Sequence, residues 1–476
     1  MLRILLTSLI VICCSAGSYA EERPLSISEY LDQVRTQNLN YNAAAQNAEA
    51  YNLLKKKADL VTAVKLYGYS EKSYAEQNQA LQFFRYKQVD YQKNQIGFSQ
   101  TSDFGLNTNV YYLLNKTKYH GLNTSNAANP GLAIQNYQST PTLELTLSLW
   151  QNRFGASTKA NKESIYFANE SQKLTAKSLS LTELTNSEKS YWMLVYTRKA
   201  VEIQRRALDS AKKILDYVTK RERMNLGEKA DVLQARASFE SRQLFLKQAE
   251  NDEKIAIKIF NKQRNVDLDQ MPEKLEDFDL KKLQTFLIPT IKASDRFDVK
   301  ANEATMKAAV AAAKLEEENN KPSLSLYGSH SVTQIKDTPY KAVGSSFAPN
   351  GIGSKIGVQF SMPINFGLTS DIREGAVKSA SAAKITYRQR LLEQENDWQS
   401  LVQNMASYRE NLKLSLAIEA AQKSKLENER IRLKQGRTTT YQVLLFEQDF
   451  SNSELATGQL AYRLLEAIAN SRLYQN

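Results

Sequence analysis

Histidine is the side chain that exchanges protons near neutral pH and the commonest metal ligand, and the chain has two, His120 and His330. Each stands alone. His120 lies in NKTKYHG and His330 in LYGSHSV, with no HExxH pair, no GxSxG elbow and no paired acidic motif elsewhere. NGIGSK, residues 350 to 355, opens like a phosphate loop but lacks the spacing to Lys and Ser/Thr that a phosphate cradle needs. Its Asn and Gly read as turn chemistry. Both cysteines, Cys13 and Cys14, fall in MLRILLTSLIVICCSAGSYA. There Arg3, the apolar run from Ile4 to Cys14 and small Ser18 and Ala20 form the pattern of a cleaved export signal over residues 1–20. Ile12 and Cys13 stand before the cysteines where a lipid-attachment site has small residues. A mature chain then has no thiol for a disulfide, a zinc site or a nucleophile. These residues predict an exported protein that is not an enzyme, with no catalytic residue, no cofactor and no metal, whose function lies in its shape.

The formal net charge of +12 raises phosphate binding as a possibility. The Lys and Arg are spread along helical segments among Glu neighbours, the pattern of solvated helix faces, and no nucleic-acid partner is predicted. After Ala20 no run of about 18 apolar residues occurs, so no membrane helix is expected. A chain of this kind can cross a bilayer only as β-strands.

Glycine and proline mark the elements, since both are costly inside helices. Glycines crowd into residues 68–155 and 328–375, whereas 156–226, 228–271 and, after Gly375, 376–435 contain neither residue apart from Gly227 between the first two. The three free stretches predict very long helices. At 1.5 Å per residue a 70-residue helix runs about 100 Å, more than a globular core can hold. Leu194, Val201, Leu208 and Leu215 recur every seven residues, with Tyr191, Ala211 and Val218 between them, as lateral coiled-coil packing requires. Ser187, Arg198 and Arg205 interrupt this seam. Several shorter helices in a bundle would give a similar pattern.

The glycine-rich windows alternate with the period of a strand: KLYGYS (65–70), QIGFSQTS (95–102), LNTNVYYLL (106–114) and TLELTLSLW (142–150), then SLSLYGSHSV (323–332) and KIGVQFSM (355–362). Aromatics from Tyr67 to Trp150 suit the girdles of a membrane barrel, although sandwich strands share the feature. Asn, Ser, Gly and Pro predict long exposed loops over 115–140 and 333–354.

The two halves echo each other. LTLSLWQNRFG (145–155) is answered by VQFSMPINFG (358–367), which pairs Asn152, Phe154 and Gly155 with Asn365, Phe366 and Gly367 as a strand-to-helix junction. RMNLGEKADVLQ, from Arg223, is answered by RLKQGRTTTYQVLL, from Arg432, with two extra residues after the glycine. The domain reading is a signal over 1–20, a first repeat over 21–265, a linker over 266–290 rich in Asp, Glu and Leu, and a second repeat over 291–476. Two main strands per half give four per chain, too few to close around a lumen. Open edges in lipid leave backbone groups unpaired, so the chain is expected to oligomerise, and three copies would supply twelve strands.

This order of parts resembles the TolC-type outer-membrane efflux family, the exit ducts of tripartite exporters and type I secretion systems. The resemblance spans the mature chain: LSISEYLDQ at 25–33, the paired repeats, and two R-x-x-x-G turns at Arg223–Gly227 and Arg432–Gly436. It implies an α+β membrane protein of a Gram-negative-type outer membrane, a homotrimer whose twelve-stranded β-barrel, four strands per chain, continues as a long α-helical coiled-coil tunnel through the periplasm. It implies that outer-membrane lipid, a periplasmic adaptor (membrane-fusion) protein and an inner-membrane pump are partners, the last two met by a tip at Leu226, Gly227, Glu228, Gln435, Gly436 and Arg437. Family members carry acidic residues just past each turn that gate the tunnel entrance. Asp231 matches the first, while Gln442 and Leu445 occupy the second set of places, with Glu447 and Asp449 further on. Leu433 and Thr438 stand where latch residues are often Arg and Tyr, and Arg437 is displaced by one. The segment 81–100 is surplus to the family pattern. The reading from another class is a secreted coiled-coil scaffold or adhesin without channel activity.

Overall fold

The computed structural model describes residues 23–76, 86–121 and 134–475. The expected export signal with both cysteines lies outside the described residues, as do 77–85 and 122–133, the latter part of the loop expected over 115–140. The helices are α1 (Ile27–Gln37), α2 (Leu39–Leu54), α3 (Ala156–Arg223), α4 (Lys229–Arg264), α5 (Leu280–Gln284), α6 (Phe297–Asn319), α7 (Pro339–Gly344), α8 (Phe366–Lys434) and α9 (Thr440–Ser471). The strands are β1 (Lys65–Ala75), β2 (Gln88–Thr101), β3 (Leu106–His120), β4 (Gln135–Ser148), β5 (Ser323–Val332), β6 (Gln334–Lys336) and β7 (Ile352–Ser361). Two compact units result, each drawing on both halves of the chain.

The helical unit comprises the described residues up to Ala43, Ser180–Ala293 and Trp398–Gln475. The glycine- and proline-free stretches become helices of 68 residues in α3 and 69 in α8, and α8 begins ten residues ahead of its glycine-free stretch, accommodating Gly367 and Gly375. The heptad positions face inward: Tyr191, Leu194, Val201, Ala211 and Val218 are buried, with Leu208 and Leu215 half-buried. At the centre of the unit Tyr30 of α1 stacks on Phe260 of α4, ring centroids 4.3 Å apart. The Arg198 guanidinium, which breaks the heptad, donates to the carbonyls of Glu273 and Pro272 at 2.7 and 3.0 Å. The interruption thus holds the segment linking the two halves.

That linker is packed rather than loose. Leu275, Phe278 and Leu283 enter the core beside Leu25 and Trp192. The Tyr191 hydroxyl donates to the Leu25 carbonyl at 2.6 Å and accepts from the Glu276 amide at 3.0 Å, so one side chain ties the start of the chain to the linker. An unpaired buried hydroxyl or amide is expensive, which makes this bridge specific.

The sheet unit comprises Ala44–Leu179 and Ser294–Asp397. Its single antiparallel sheet runs β1-β2-β3-β4-β5-β7, with short β6 beside β4. The chain therefore brings more strands than the four expected. The surplus segment 81–100 supplies β2 from Gln88 onward, hydrogen-bonded to β1 on one side and β3 on the other; its residues 81–85 lie outside the described residues. Three copies would exceed twelve strands, and the physical reason is that alternating segments with Asn- and Gln-rich faces, such as QVDYQKNQIGFSQT, pair as readily as the apolar ones. The loops are also shorter than expected: β3 continues to His120, β4 begins at Gln135, and the stretch 333–354 holds β6, α7 and the start of β7. The Ser139 hydroxyl of β4 donates to the Ala342 carbonyl of α7 at 2.7 Å, which seats α7 against the sheet.

Removing the Tyr191 hydroxyl should destabilise the helical unit by about 1–3 kcal/mol, the cost of leaving buried partners unsatisfied. Tyr191→Phe, followed by guanidinium unfolding of the helical signal, checks this. Burial pushes the Tyr191 phenol from 10 up to about 12. The neutral form is therefore favoured by folding, and its contribution is lost as pH rises from 10 toward 12. Tyr191→Phe should lose stability less steeply than the native protein across that window.

Candidate functional site

Antiparallel partners share a face of the sheet, so the registers sort the side chains into two sets. One face carries Leu66, Phe98, Val110 and Leu143 as direct cross-strand partners over β1 to β4. It also carries Leu106, Leu147, Leu326 and Val358 as partners over β3, β4, β5 and β7. These rows are open to solvent in a single chain: Ile356 and Phe360 on the same face are 81% and 57% exposed. Such a contiguous apolar face marks a surface meant for something other than water.

The other face is polar and internally bonded. The Tyr67 hydroxyl donates to Asn109 Oδ1 at 2.8 Å and accepts from Gln95 Nε2 at 3.0 Å. Asn109 Nδ2 and the Tyr111 hydroxyl donate to the Glu144 carboxylate at 3.1 and 3.0 Å. The network crosses β1, β2, β3 and β4. Sequence reasoning missed Glu144, although TLELTL carries the signal: alternation puts a glutamate between two leucines on the opposite face.

Both helical reversals lie in the helical unit and are built alike. After α3 the Leu226 amide donates to the Arg221 carbonyl at 2.9 Å, and Asn225 takes a left-handed φ of 56°. After α8 the Arg437 amide donates to the Arg432 carbonyl at 2.9 Å, and Gly436 takes φ 70°. In both, the first arginine reaches over to cap the turn: Arg221 donates to the Leu226 carbonyl and Arg432 to that of Arg437. The left-handed residue of the first turn is thus Asn225 and not Gly227, which has an ordinary φ. Asn tolerates that region because its short polar side chain can bond locally. Asn225 stands where Gly436 stands, and the helix N-caps Glu228 and Thr439 fall in the same register with no inserted residue. The expected two-residue insertion is therefore not needed.

This register sets Asp231 opposite Gln442, each in the first turn of its helix. Asp231 is exposed and makes no ion pair or side-chain hydrogen bond among the described residues. Gln442 is half-buried and donates its amide to the Thr439 hydroxyl. Glu447 is buried against the Arg430 guanidinium, and Asp449 pairs with Lys425 at 3.5 Å. Those two acids are engaged within the helical unit. Leu226, Glu228, Gln435, Gly436 and Arg437 are exposed and Gly227 half-buried, so the turn residues lie at the surface.

The two strand-to-helix junctions differ. At the first, Asn152, Phe154 and Gly155 have φ of 57°, 53° and 74°. A side chain at Gly155 would collide with the backbone of Asp103. Asn152 Oδ1 accepts the Thr158 amide at 3.0 Å, which caps α3. At the second, Asn365 Oδ1 caps α8 by accepting the Leu368 amide at 3.2 Å, and Phe366 and Gly367 already belong to the helix. Gly367 has an ordinary φ, and a side chain there would meet nothing closer than 3.9 Å. The shared Asn is a helix cap in both; the shared glycine is required in only one.

The histidines take part in local bonds, His120 with Asp90 at 2.9 Å and His330 with Ser354 at 3.0 Å. Among the described residues no group of three or more His, Cys, Asp or Glu is placed to hold a metal.

No protein-family model matches the chain, and no curated protein sequence matches it. Solved structures do. The Neisseria gonorrhoeae MtrE outer-membrane channel, in its open state, is 15% identical with a TM-score of 0.66 over 94% of this chain and 88% of that one. The Campylobacter jejuni CmeC outer-membrane channel is 15% identical at 0.64, over 94% and 85%. The outer-membrane protein VceC of Vibrio cholerae is 14% identical at 0.63, over 94% and 95%. The chain has the fold of these proteins along nearly its whole length.

Gly155→Ala should prevent native folding of the first junction, because its Cβ meets backbone that cannot yield and its φ disfavours any side chain, whereas Gly367→Ala should fold as the native protein does. The yield of folded protein, read by circular dichroism and thermal unfolding, shows the difference.

Proposed function

We propose that the protein is an exit duct of a Gram-negative-type outer membrane, a trimer whose sheet units close a barrel and whose long helices form a periplasmic tunnel. The observation that carries this reading is the two-faced sheet, with the apolar row Leu66, Phe98, Val110 and Leu143 and the row Leu106, Leu147, Leu326 and Val358 on one side and the hydrogen-bonded polar network on the other. In a barrel the first faces lipid and the second water. The likeness in fold to outer-membrane channels supports it. So does α8: Leu368, Ile372, Val377, Ile385 and Leu392 are exposed in one chain, and Leu392 is 68% exposed. A second copy against this helix covers them.

Conduction is passive, and opening follows from contacts that partners make better with the open tip than with the closed one. The tip consists of Leu226 to Glu228 and Gln435 to Arg437, the surface offered to a periplasmic adaptor and an inner-membrane pump. The matched caps of the two turns support a duplicated origin for the halves. Three copies bring three Asp231 carboxylates and three neutral Gln442 side chains to the entrance, a single acidic ring favouring cations. A secreted coiled-coil scaffold gives no use for an apolar sheet face this extended.

Asp231→Asn should leave the protein a detergent-stable trimer and reduce the cation preference of its conductance in planar bilayers. An unchanged reversal potential in a salt gradient removes Asp231 from the gate. Release of the native protein from membranes by salt alone removes the duct reading.

A further inference from the structure

We propose that the barrel of this duct has eighteen strands, six long ones from each of three chains. The inference rests on the trimeric duct reading and adds the width of its outlet.

Hydrogen bonding leaves few places where a neighbouring copy can join the sheet. β2 is paired on both edges, to β1 from Lys65 against Ser99 to Ala75 against Val89, and to β3 along its whole length from Gln88 against His120 to Thr101 against Asn107. β3 pairs in turn with β4, and β4 with β5. Among the described residues only β1 and β7 end the long-strand series with one partner each. A neighbour therefore joins β7 to β1, and every strand between them stays in the wall. The three-residue β6 is too short to span and lies beside β4 alone.

The chemistry of the faces agrees. If β1 and β2 formed a hairpin standing off a four-strand contribution, their faces would be free to differ from those of the rest. Instead Leu66 and Phe98 continue the apolar row of Val110 and Leu143, and Tyr67 and Gln95 continue the polar network of Asn109 and Glu144. β1 has 11 residues and β2 has 14, enough to cross a bilayer when tilted. Detaching them would strip the β2–β3 ladder and leave backbone donors in lipid.

Barrel diameter grows about in proportion to strand number, so eighteen strands give a lumen about 1.5-fold wider than twelve. The occupant of the two edges is a second copy of this chain, and the outlet passes hydrated cargo wider than a twelve-strand outlet admits. Any size limit then falls at the tunnel entrance.

Cysteine pairs in the chain lacking Cys13 and Cys14 after export test the edge contact. Val358→Cys on β7, combined in turn with Leu66→Cys, Gly68→Cys and Ser70→Cys on β1, should give a ladder of covalent oligomers on oxidation in at least one pair. The same residue combined with Thr108→Cys, Val110→Cys or Tyr112→Cys on β3 should give none. Electron cryomicroscopy of the native protein in nanodiscs should then count eighteen strands. A trimer with twelve, or crosslinking through β3, overturns this inference and leaves the duct intact. A monomer, or a particle without a barrel, overturns the duct and the inference together.

Discussion

A bilayer offers no water to satisfy backbone N–H and C=O groups, so a sheet that enters it has to close. The sheet unit of this protein cannot close alone. Its long strands pair with one another, and among the described residues the two outer ones, β1 and β7, have one partner each. In the proposed duct, oligomerisation follows from that constraint, and the apolar row of the sheet is the side that faces lipid. The polar network around Glu144 meets a related requirement on the other face, since a carboxylate on a strand needs donors or water.

The helical unit solves a different problem, holding very long helices in register. Heptad positions bury one stripe of α3, and Arg198, which breaks the heptad, bonds the linker instead. Tyr191 joins the chain start and the linker at one hydroxyl. The reversals need a left-handed residue with a capping arginine, a need met by Asn225 in one and Gly436 in the other.

The long helices were legible in the sequence because the absence of Gly and Pro over such distances admits little else, and their buried positions followed from the seven-residue spacing. The strand segments were legible from alternation, but the number joining one sheet was not: QVDYQKNQ and its neighbours alternate without an apolar majority, and only pairing on both edges makes β2 part of the sheet. Local motifs misled where identity stood for conformation. Gly227 repeats Gly436 in letters while Asn225 repeats it in φ, and Gly367 repeats Gly155 in letters while its backbone is ordinary helix. Which acid near the turns remains free could not be read from spacing either, because the engagement of Glu447 by Arg430 is a tertiary contact.

In the proposed duct the sheet lies in a membrane with one face to lipid. Spin labels placed singly from Pro141 to Leu147 along β4 in proteoliposomes measure it, through accessibility to oxygen in the lipid and to a nickel reagent in water. Oxygen accessibility should peak at positions 141, 143, 145 and 147 and nickel accessibility at 142, 144 and 146. Uniform access to nickel along the strand would contradict the membrane barrel.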